Sequence, residues 1–279
     1  MANLPTFKKY IDDPIIQNRL IEILGDKKAA AFTSALLNIY NSNDQLQQCD
    51  PRSILGAAGL AATVDLSLTP SLGQAYIVPY KSKGVYRAQF QIGKRGLVQL
   101  AHRTGKYVAL HAGKVCEGEL KGFDPFTGTP IQGERQSDNV IGYIAYMRLV
   151  NGFEKWVYMT TKEIEEHAEK YSQSYRSDKS KGWSSSPWST NFDAMAEKTV
   201  LKKLLNAWGV LSVEMAQVIQ GDQSVVDKNT FEYIDNKGDV QNRSDIYLPN
   251  EDISFPAEDE IEYAEREALA EEVTANENA

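Results

Sequence analysis

The chain has 279 residues, of which 42% are hydrophobic, and its formal net charge is -8. This length and apolar content can supply a real core, in one large domain or two small ones, which excludes a wholly disordered chain. There is no run of about 18 apolar residues and no secretory signal, so we expect a cytoplasmic protein without membrane spans. Cys49 and Cys116 lie far apart and outside any CxxC motif, which favours reduced thiols over a disulfide.

The charge is divided unevenly along the chain. Residues 222–279 carry 17 acidic and 4 basic side chains, whereas residues 1–221 carry 21 acidic and 26 basic side chains. Two windows are especially basic, one at residues 81–121 and one at residues 170–203. This pattern predicts a body that binds a polyanion (residues 1–221) and an acidic tail that is flexible or partly helical and contacts partner proteins (residues 222–279).

Helical signals dominate the first seventy residues. Asp13-Pro14 and Asp50-Pro51 each place an N-cap before a proline at the first helical position. A further helix is predicted from Asp26 to about Tyr40. The helix after Pro51 is rich in glycine and alanine, which favours close packing in the core.

After Pro70 the hydrophobic period changes to that of strands. We predict strands over residues 72–80, 85–92, 106–116, 140–150 and 153–159, with a short helix over residues 93–104. Asn151-Gly152 between the last two strands is a strong hairpin signal. Residues 118–139 are predicted to be a long loop with room for a short hairpin. The expected fold class is α+β, with a mainly antiparallel sheet of about five strands packed with helices.

The last part of the body combines a polar loop with helices. Thr160 and Glu163 form a predicted capping box at the start of one helix. A serine-rich loop is expected over residues 172–189, followed by helices from Thr190 or Asn191 to Gly209 and over residues 212–219. In the tail, residues 257–273 fit an acidic helix with a narrow apolar stripe.

Two groups of side chains are candidates for nucleic-acid binding. Asn191, Lys198 and Lys202 are spaced on one stripe of a helix, where two cations could follow a phosphate backbone. The loop before that helix combines cations with flat aromatic rings, on which bases could stack: Lys179, Lys181, Trp183 and Trp188. For the lysines the alternative is a solvated helix face, and for each tryptophan it is a place in the core.

Known catalytic motifs are mostly missing. The sequence has no phosphate-binding GxxxxGK[ST] loop, which argues against strand exchange driven by ATP, and no GxSxG or HExxH. The three histidines have no ligand spacing, so no metal site is predicted. Glu119 and Lys121 after a strand resemble part of a metal-dependent nuclease site, and this alternative stays open. A third alternative is a structural phage protein whose basic body meets the acidic tail of a neighbouring copy.

Three blocks of sequence resemble the RecT family of phage single-strand annealing proteins. They are residues 72–80 (LGQAYIVPY), residues 89–93 (QFQIG) with Gly96-Leu97, and residues 183–198. The resemblance extends over roughly residues 15–220. It implies a phage or prophage recombinase of the bacterial cytoplasm that anneals single-stranded DNA without ATP and holds the duplex in an oligomeric, often helical, filament or ring. No cofactor is implied, and Mg²⁺ would modulate annealing without being a catalytic ligand, so the protein is not expected to be an enzyme.

The resemblance also implies partners and site residues. The partners are single-stranded DNA, the annealed duplex, further copies of the chain, and, through the tail, a phage 5′ to 3′ exonuclease and the host single-strand binding protein. The implied groove has two walls, one formed by Lys179, Lys181, Trp183, Asn191, Lys198 and Lys202 and the other by Arg87, Lys94, Arg95, Arg103, Lys106 and Lys114. Contacts to the phosphate backbone predict binding that is nearly independent of sequence and steeply dependent on salt.

Overall fold

The computed structural model describes residues 7–82, 84–227 and 230–232. The first part of the chain is helical, with α1 (Phe7–Ile11), α2 (Pro14–Leu24), α3 (Asp26–Asn41) and α4 (Pro51–Thr63). The middle part holds β1 (Ala75–Ser82), β2 (Val85–Ile92), α5 (Lys94–Arg103), β3 (Tyr107–Cys116), β4 (Leu120–Phe123), β5 (Pro130–Gln132), β6 (Val140–Leu149) and β7 (Glu154–Thr160). The last part holds α6 (Thr161–Tyr171), α7 (Gln173–Lys181), α8 (Pro187–Thr190), α9 (Phe192–Trp208), α10 (Val213–Gln220), β8 (Val225–Asp227) and β9 (Thr230–Glu232).

The predicted caps are confirmed. The Asp13 carboxylate accepts the backbone N–H of Ile15 at the start of α2, and the Asp50 carboxylate accepts that of Arg52 at the start of α4. Thr160 and Glu163 form the capping box of α6. Each of these contacts satisfies backbone donors that the first helical turn leaves without a partner.

The α+β class is confirmed, and the five long strands are antiparallel. They form two sheets, however: a hairpin of β1 and β2, and a three-stranded sheet in the order β3-β6-β7. The edge of β2 away from β1 is occupied by the segment after α10, because Phe90 donates its N–H to the Ser224 carbonyl and accepts the N–H of Gln223. β3 therefore cannot continue the first sheet and starts a second one.

Helix α9 covers one face of the three-stranded sheet. Tyr143, Ala145 and Met147 of β6 point to that face and are buried, while Ile144, Tyr146 and Arg148 alternate with them on the other face. Within the sheet, Arg148 lies opposite Glu154 and Gly142 lies opposite Thr160. The turn between β6 and β7 therefore marks one end of the sheet, and the start of α6 marks the other.

One segment that was predicted to be a loop contains helices, and a second contains the short hairpin for which its prediction left room. Residues 172–189 hold α7 and α8 in addition to their turns, because Ser172 and Ser186 act as N-caps and Gly182 ends α7 in the left-handed region, with φ of 66°. Residues 118–139 include the hairpin of β4 and β5. Polar composition alone indicated loops, but serine is also a strong N-cap residue.

The packed body continues beyond Gly221. Asp222 is buried, and its carboxylate accepts the N–H of Ile92 on β2. Ser224 and Val226 are also buried, and a Cβ added at Gly56 of α4 would lie 3.0 Å from the Val226 Cβ. Asp222, Ser224, Val225 and Val226, which the charge pattern assigned to the tail, thus belong to the packed body. The predicted acidic helix over residues 257–273 lies outside the described residues.

The three described ranges include no helix that is both long and apolar enough to cross a bilayer.

Removal of the Asp222 carboxylate should destabilise the body. Asp222→Ala leaves the buried ammonium of Lys198 without its partner, which is expected to lower the free energy of unfolding by about 3–5 kcal/mol. Lys198→Met added to Asp222→Ala should recover part of this loss, since no buried charge then remains unpaired. Urea denaturation measures both effects, and an unchanged midpoint for Asp222→Ala would show that the ion pair does not support the fold.

Candidate nucleic-acid interface

Helix α5 is fixed in place by close backbone contacts. A Cβ added at Gly93 would lie 2.1 Å from the Gly73 carbonyl oxygen, and one added at Gly96 would lie 2.2 Å from the Gln74 carbonyl oxygen. Only glycine fits where two backbones approach so closely. The two glycines of this sequence block therefore set the position of α5 against the segment that leads into β1.

The cations of α5 mostly bind neighbouring elements. Lys94 donates to the Ala112 carbonyl on β3 at 3.2 Å and pairs with Glu197 of α9. Arg95 donates to the Ser71 carbonyl at 3.1 Å. Arg103 donates to the backbone carbonyls of residues 64 and 65. All three were predicted to contact phosphates, and in the structure each also supports the packing of α5.

The other cations of the first basic window lie in different surroundings. Lys114 on β3 pairs with Asp193 of α9, which also accepts the Tyr143 hydroxyl at 2.6 Å. Because the Lys114 ammonium donates a hydrogen bond to the Asp193 carboxylate, the pKa of Lys114 is raised above its ordinary value. Lys106 is exposed just before β3, and Arg87 is half-buried in the β1-β2 hairpin. The structure thus brings Lys94 and Lys114 together beside the first turns of α9, whereas Arg87 and Lys106 lie apart from them.

A buried carboxylate organises the serine-rich loop. Asp178 accepts hydrogen bonds from the backbone N–H groups of Ser185 and Ser186 and from the hydroxyls of Ser185 and Ser189, at 2.7–2.9 Å. These bonds, chiefly that of the Ser186 N–H, hold the pKa of Asp178 well below its usual range. The Asp178 carbonyl also accepts the N–H of Trp183. One residue therefore shapes the whole loop.

Trp183 is presented to solvent at the start of that loop. Its side chain is 62% exposed, and the Lys181 ammonium lies 4.6 Å from the ring centroid. Lys179, by contrast, pairs with Glu169 on α6 and lies over the Tyr175 ring. An exposed indole beside a cation suits a base and its phosphate, because every base has a π face.

Trp188 is a core residue, so its predicted role in stacking on bases does not fit its position. It is 5% exposed and meets Phe192 edge-on, with ring centroids 5.6 Å apart. Tyr175 and His167 complete its surroundings. Burial lowers the pKa of His167 to about 4, aided by nearby lysines, so the imidazole is neutral at pH 7. The alternative that this tryptophan belongs to the core is the correct one.

The lysines of α9 also differ from the prediction. Lys198 is 8% exposed, and its ammonium pairs with the Asp222 carboxylate at 3.2 Å. Lys202 is partly exposed and pairs with the same carboxylate at 2.7 Å. Burial lowers the pKa of Lys198 despite this attraction. Burial raises the pKa of Asp222, but the two lysines outweigh it and the net shift is downward. Lys198 is therefore an internal ion-pair partner and is not accessible to a phosphate.

Asn191 lies exposed at the N-cap position of α9, as predicted, but its side chain makes no capping hydrogen bond. It is close in sequence to Asp193 and Glu197, which bind Lys114 and Lys94. The role of these two acids as partners of the lysines was not predicted from the sequence. Their spacing of four residues places them on one face of α9 and was the available signal.

Glu119 and Lys121, the pair considered for a nuclease site, lie in different surroundings. Glu119 accepts the backbone N–H of Cys116 at 2.7 Å and so stabilises the turn after β3, while Lys121 is exposed on β4. Within the described ranges, no group of three or more His, Cys, Asp or Glu side chains could hold a metal ion.

The loop around Trp183 should lose its shape when Asp178 is neutralised. Asp178→Asn removes a charge that accepts four hydrogen bonds, so the melting temperature at pH 7 should fall by several degrees. Because the folded-state pKa is depressed, the carboxylate stabilises the fold above its unfolded pKa of about 3.9, and this contribution disappears as the pH falls below that value. The difference between wild type and variant should therefore shrink in acid. Thermal melts at several pH values test this, with Asp44→Asn, an exposed carboxylate, as control.

Comparison with known proteins finds matches over this same part of the chain. The model of the RecT family matches residues 30–237. YqaK, an uncharacterized protein of Bacillus subtilis (strain 168), is 44% identical over 222 residues, which are 78% of this chain and 73% of that protein. Protein RecT of Escherichia coli (strain K12) is 30% identical over 185 residues, which are 64% of this chain and 65% of that protein.

The family match covers the three sequence blocks, α5, the Trp183 loop and α9. It also continues past Gly221, in agreement with the burial of Asp222, Ser224, Val225 and Val226. The resemblance drawn from the sequence blocks is confirmed: the chain belongs to the RecT family of recombination proteins.

Proposed function

We propose that this protein binds single-stranded DNA and anneals it to a complementary strand, without ATP and without a chemical step of its own. The observation that carries the proposal is the pair of Lys181 and Trp183, held by the Asp178 network on an exposed loop within the family match. The cation would neutralise a phosphate and the indole would stack on a base. Such contacts leave the pairing edges of the bases free.

Annealing requires two polyanions to approach each other. Residues 1–221 carry five more basic than acidic side chains, which would reduce the repulsion between two phosphate backbones. Base pairing would then supply the specificity. Asn191 stays in the proposed DNA contact, with Lys181 and Trp183, and Arg87 on β2 stays in the proposal as well. Lys106 also remains a proposed contact, at the other end of β3 from Lys114. Lys94, Arg95, Arg103, Lys114, Lys179 and Lys202 would contribute only if DNA competes with the partners that they bind in the structure.

The wider setting is part of the same proposal. Copies of the chain would assemble on DNA as a ring or helical filament in the bacterial cytoplasm, in phage recombination. Mg²⁺ would modulate annealing without being a catalytic ligand. The acidic segment after the packed body would bind a phage exonuclease and the host single-strand binding protein, supported by its excess of carboxylates.

Annealing of two complementary labelled oligonucleotides, measured by fluorescence transfer without nucleotide, tests the function. Wild type should speed up annealing, and Trp183→Ala should weaken single-strand affinity roughly 5- to 100-fold, the value of stacking one base. Lys181→Ala should weaken it less and reduce the salt dependence. Lys162→Ala, which removes an exposed cation on α6, is the matched control and should have no effect.

Two results would contradict the proposal. One is wild-type protein that leaves the spontaneous annealing rate unchanged at all protein concentrations. The other is progressive shortening of the DNA in Mg²⁺, which would indicate a nuclease.

A further inference from the structure

The end of the three-stranded sheet at the β6-β7 turn exposes several aromatic side chains. Phe153 lies in the turn, and its ring centroid is 6.2 Å from that of Trp208 at the end of α9. Phe126, in the turn of the β4-β5 hairpin, is 94% exposed. We call the surface formed by Phe126, Phe153, Trp208, Lys106, Arg148 and Lys155 the aromatic end.

The hairpin that carries Phe126 folds back toward this end. The Phe123 ring of β4 packs against the Tyr158 ring of β7, with centroids 5.8 Å apart. Further along the hairpin, a Cβ added at Gly128 would lie 4.0 Å from the Lys155 ammonium. That ammonium in turn lies 4.8 Å from the centroid of the Trp208 ring. Lys155 therefore links the tip of the hairpin to Trp208.

The turn around Phe126 is ordered by its own hydrogen bonds. The Asp124 carboxylate accepts the backbone N–H groups of Phe126 and Thr127 and the Thr127 hydroxyl, at 2.8–3.0 Å. A large apolar ring is thus held in water by a rigid turn. Burial of such a ring by a ligand would cost little conformational entropy, because the backbone is already fixed.

The cations of the aromatic end differ from most of those in the predicted groove. Lys94, Lys114, Lys179, Lys198 and Lys202 each pair with a carboxylate. Across the described ranges, Lys106, Arg148 and Lys155 form no ion pair within 4.0 Å. Two acids lie close to this surface: Glu154, which lies opposite Arg148 and interacts with the Tyr146 hydroxyl, and Asp124, whose carboxylate binds the turn around Phe126. The aromatic end therefore carries three cations against two acids, and within the described ranges none of the three cations is held in an ion pair.

We propose that the aromatic end is a second binding surface for single-stranded DNA. Its exposed rings would stack on bases, and its cations would bind the phosphates between them, which is the chemistry of single-strand sites that do not read sequence. The absence of ion pairs argues for a polyanion rather than for an apolar protein surface. The inference rests on the proposed DNA function and adds a separate place of contact.

The two surfaces lie at opposite ends of α9. Trp188, whose loop carries Trp183, meets the first turn of that helix, and Trp208 is its last residue. The helix has 17 residues, so the surfaces are separated by roughly 25 Å along its axis. One strand could extend from one surface to the other, or each surface could hold one of the two strands that are to be paired.

Substitutions at Phe126 distinguish DNA from a protein ligand. Because the Phe126 side chain is almost fully exposed, these substitutions should not unfold the protein. Phe126→Ala should weaken the binding of a single-stranded oligonucleotide several-fold in fluorescence anisotropy. Phe126→Leu should weaken it equally, because leucine keeps the apolar bulk but has no π face. Trp208→Ala and Lys155→Ala should also weaken binding, whereas Ile15→Ala, an exposed apolar control on α2, should not.

The same variants are measured by light scattering without DNA. If Phe126→Ala lowers the assembly mass, Phe126→Leu restores it and single-strand affinity does not change, the surface binds a second copy of the chain and the proposal is wrong. Equal DNA affinity of wild type, Phe126→Ala and Trp208→Ala also overturns it. If only the Trp183 and Lys181 variants bind DNA weakly, the second surface fails while the annealing function stands.

Discussion

The buried carboxylate of Asp222 connects the parts on which the rest of the structure depends. It binds Lys198 and Lys202 of α9 and the backbone of Ile92 at the end of β2. Helix α9 covers the three-stranded sheet, and β2 is a strand of the other sheet. This single carboxylate therefore joins the two sheets, because it binds both α9 and β2. A charge in the interior is costly unless it is paired and hydrogen-bonded, and here both lysines and a backbone donor satisfy it.

This arrangement changes which positive charges are accessible to the proposed DNA ligand. A basic window in a sequence counts every lysine. When a lysine forms an ion pair that joins two elements, however, a carboxylate of the protein already neutralises its charge. Lys94 and Lys114 fix α9 to α5 and β3 in this way, and Lys198 is enclosed. Lys181 lies beside the exposed ring of Trp183 and Lys155 beside that of Trp208, and within the described ranges neither lysine is held in an ion pair. Affinity for single strands would then come from stacking and charge together rather than from a lysine-lined groove.

Much of the fold could be predicted from the sequence because its signals are local. The caps at Asp13, Asp50 and Thr160 and the turn at Asn151-Gly152 depend on neighbours within a few residues. The division into two sheets could not be predicted, since it depends on residues 223–224 reaching the edge of β2. The helix α7 was missed because its buried side is limited to Tyr175 and Asp178 and gives no apolar period.

At the candidate site, the roles predicted for Lys198 and Trp188 do not fit their buried positions, and the two errors have one cause. Lysine and tryptophan are residue types that contact DNA, but Lys198 and Trp188 are buried. Lys198 pairs with Asp222, and Trp188 packs against the rings of His167, Tyr175 and Phe192. The sequence alone does not reveal these contacts. Ultraviolet crosslinking of the wild-type chain to single-stranded DNA, with mass spectrometry of the adducts, tests the account most directly. We predict adducts at Trp183 and none at Trp188. Adducts at Trp188 with none at Trp183 would contradict the account.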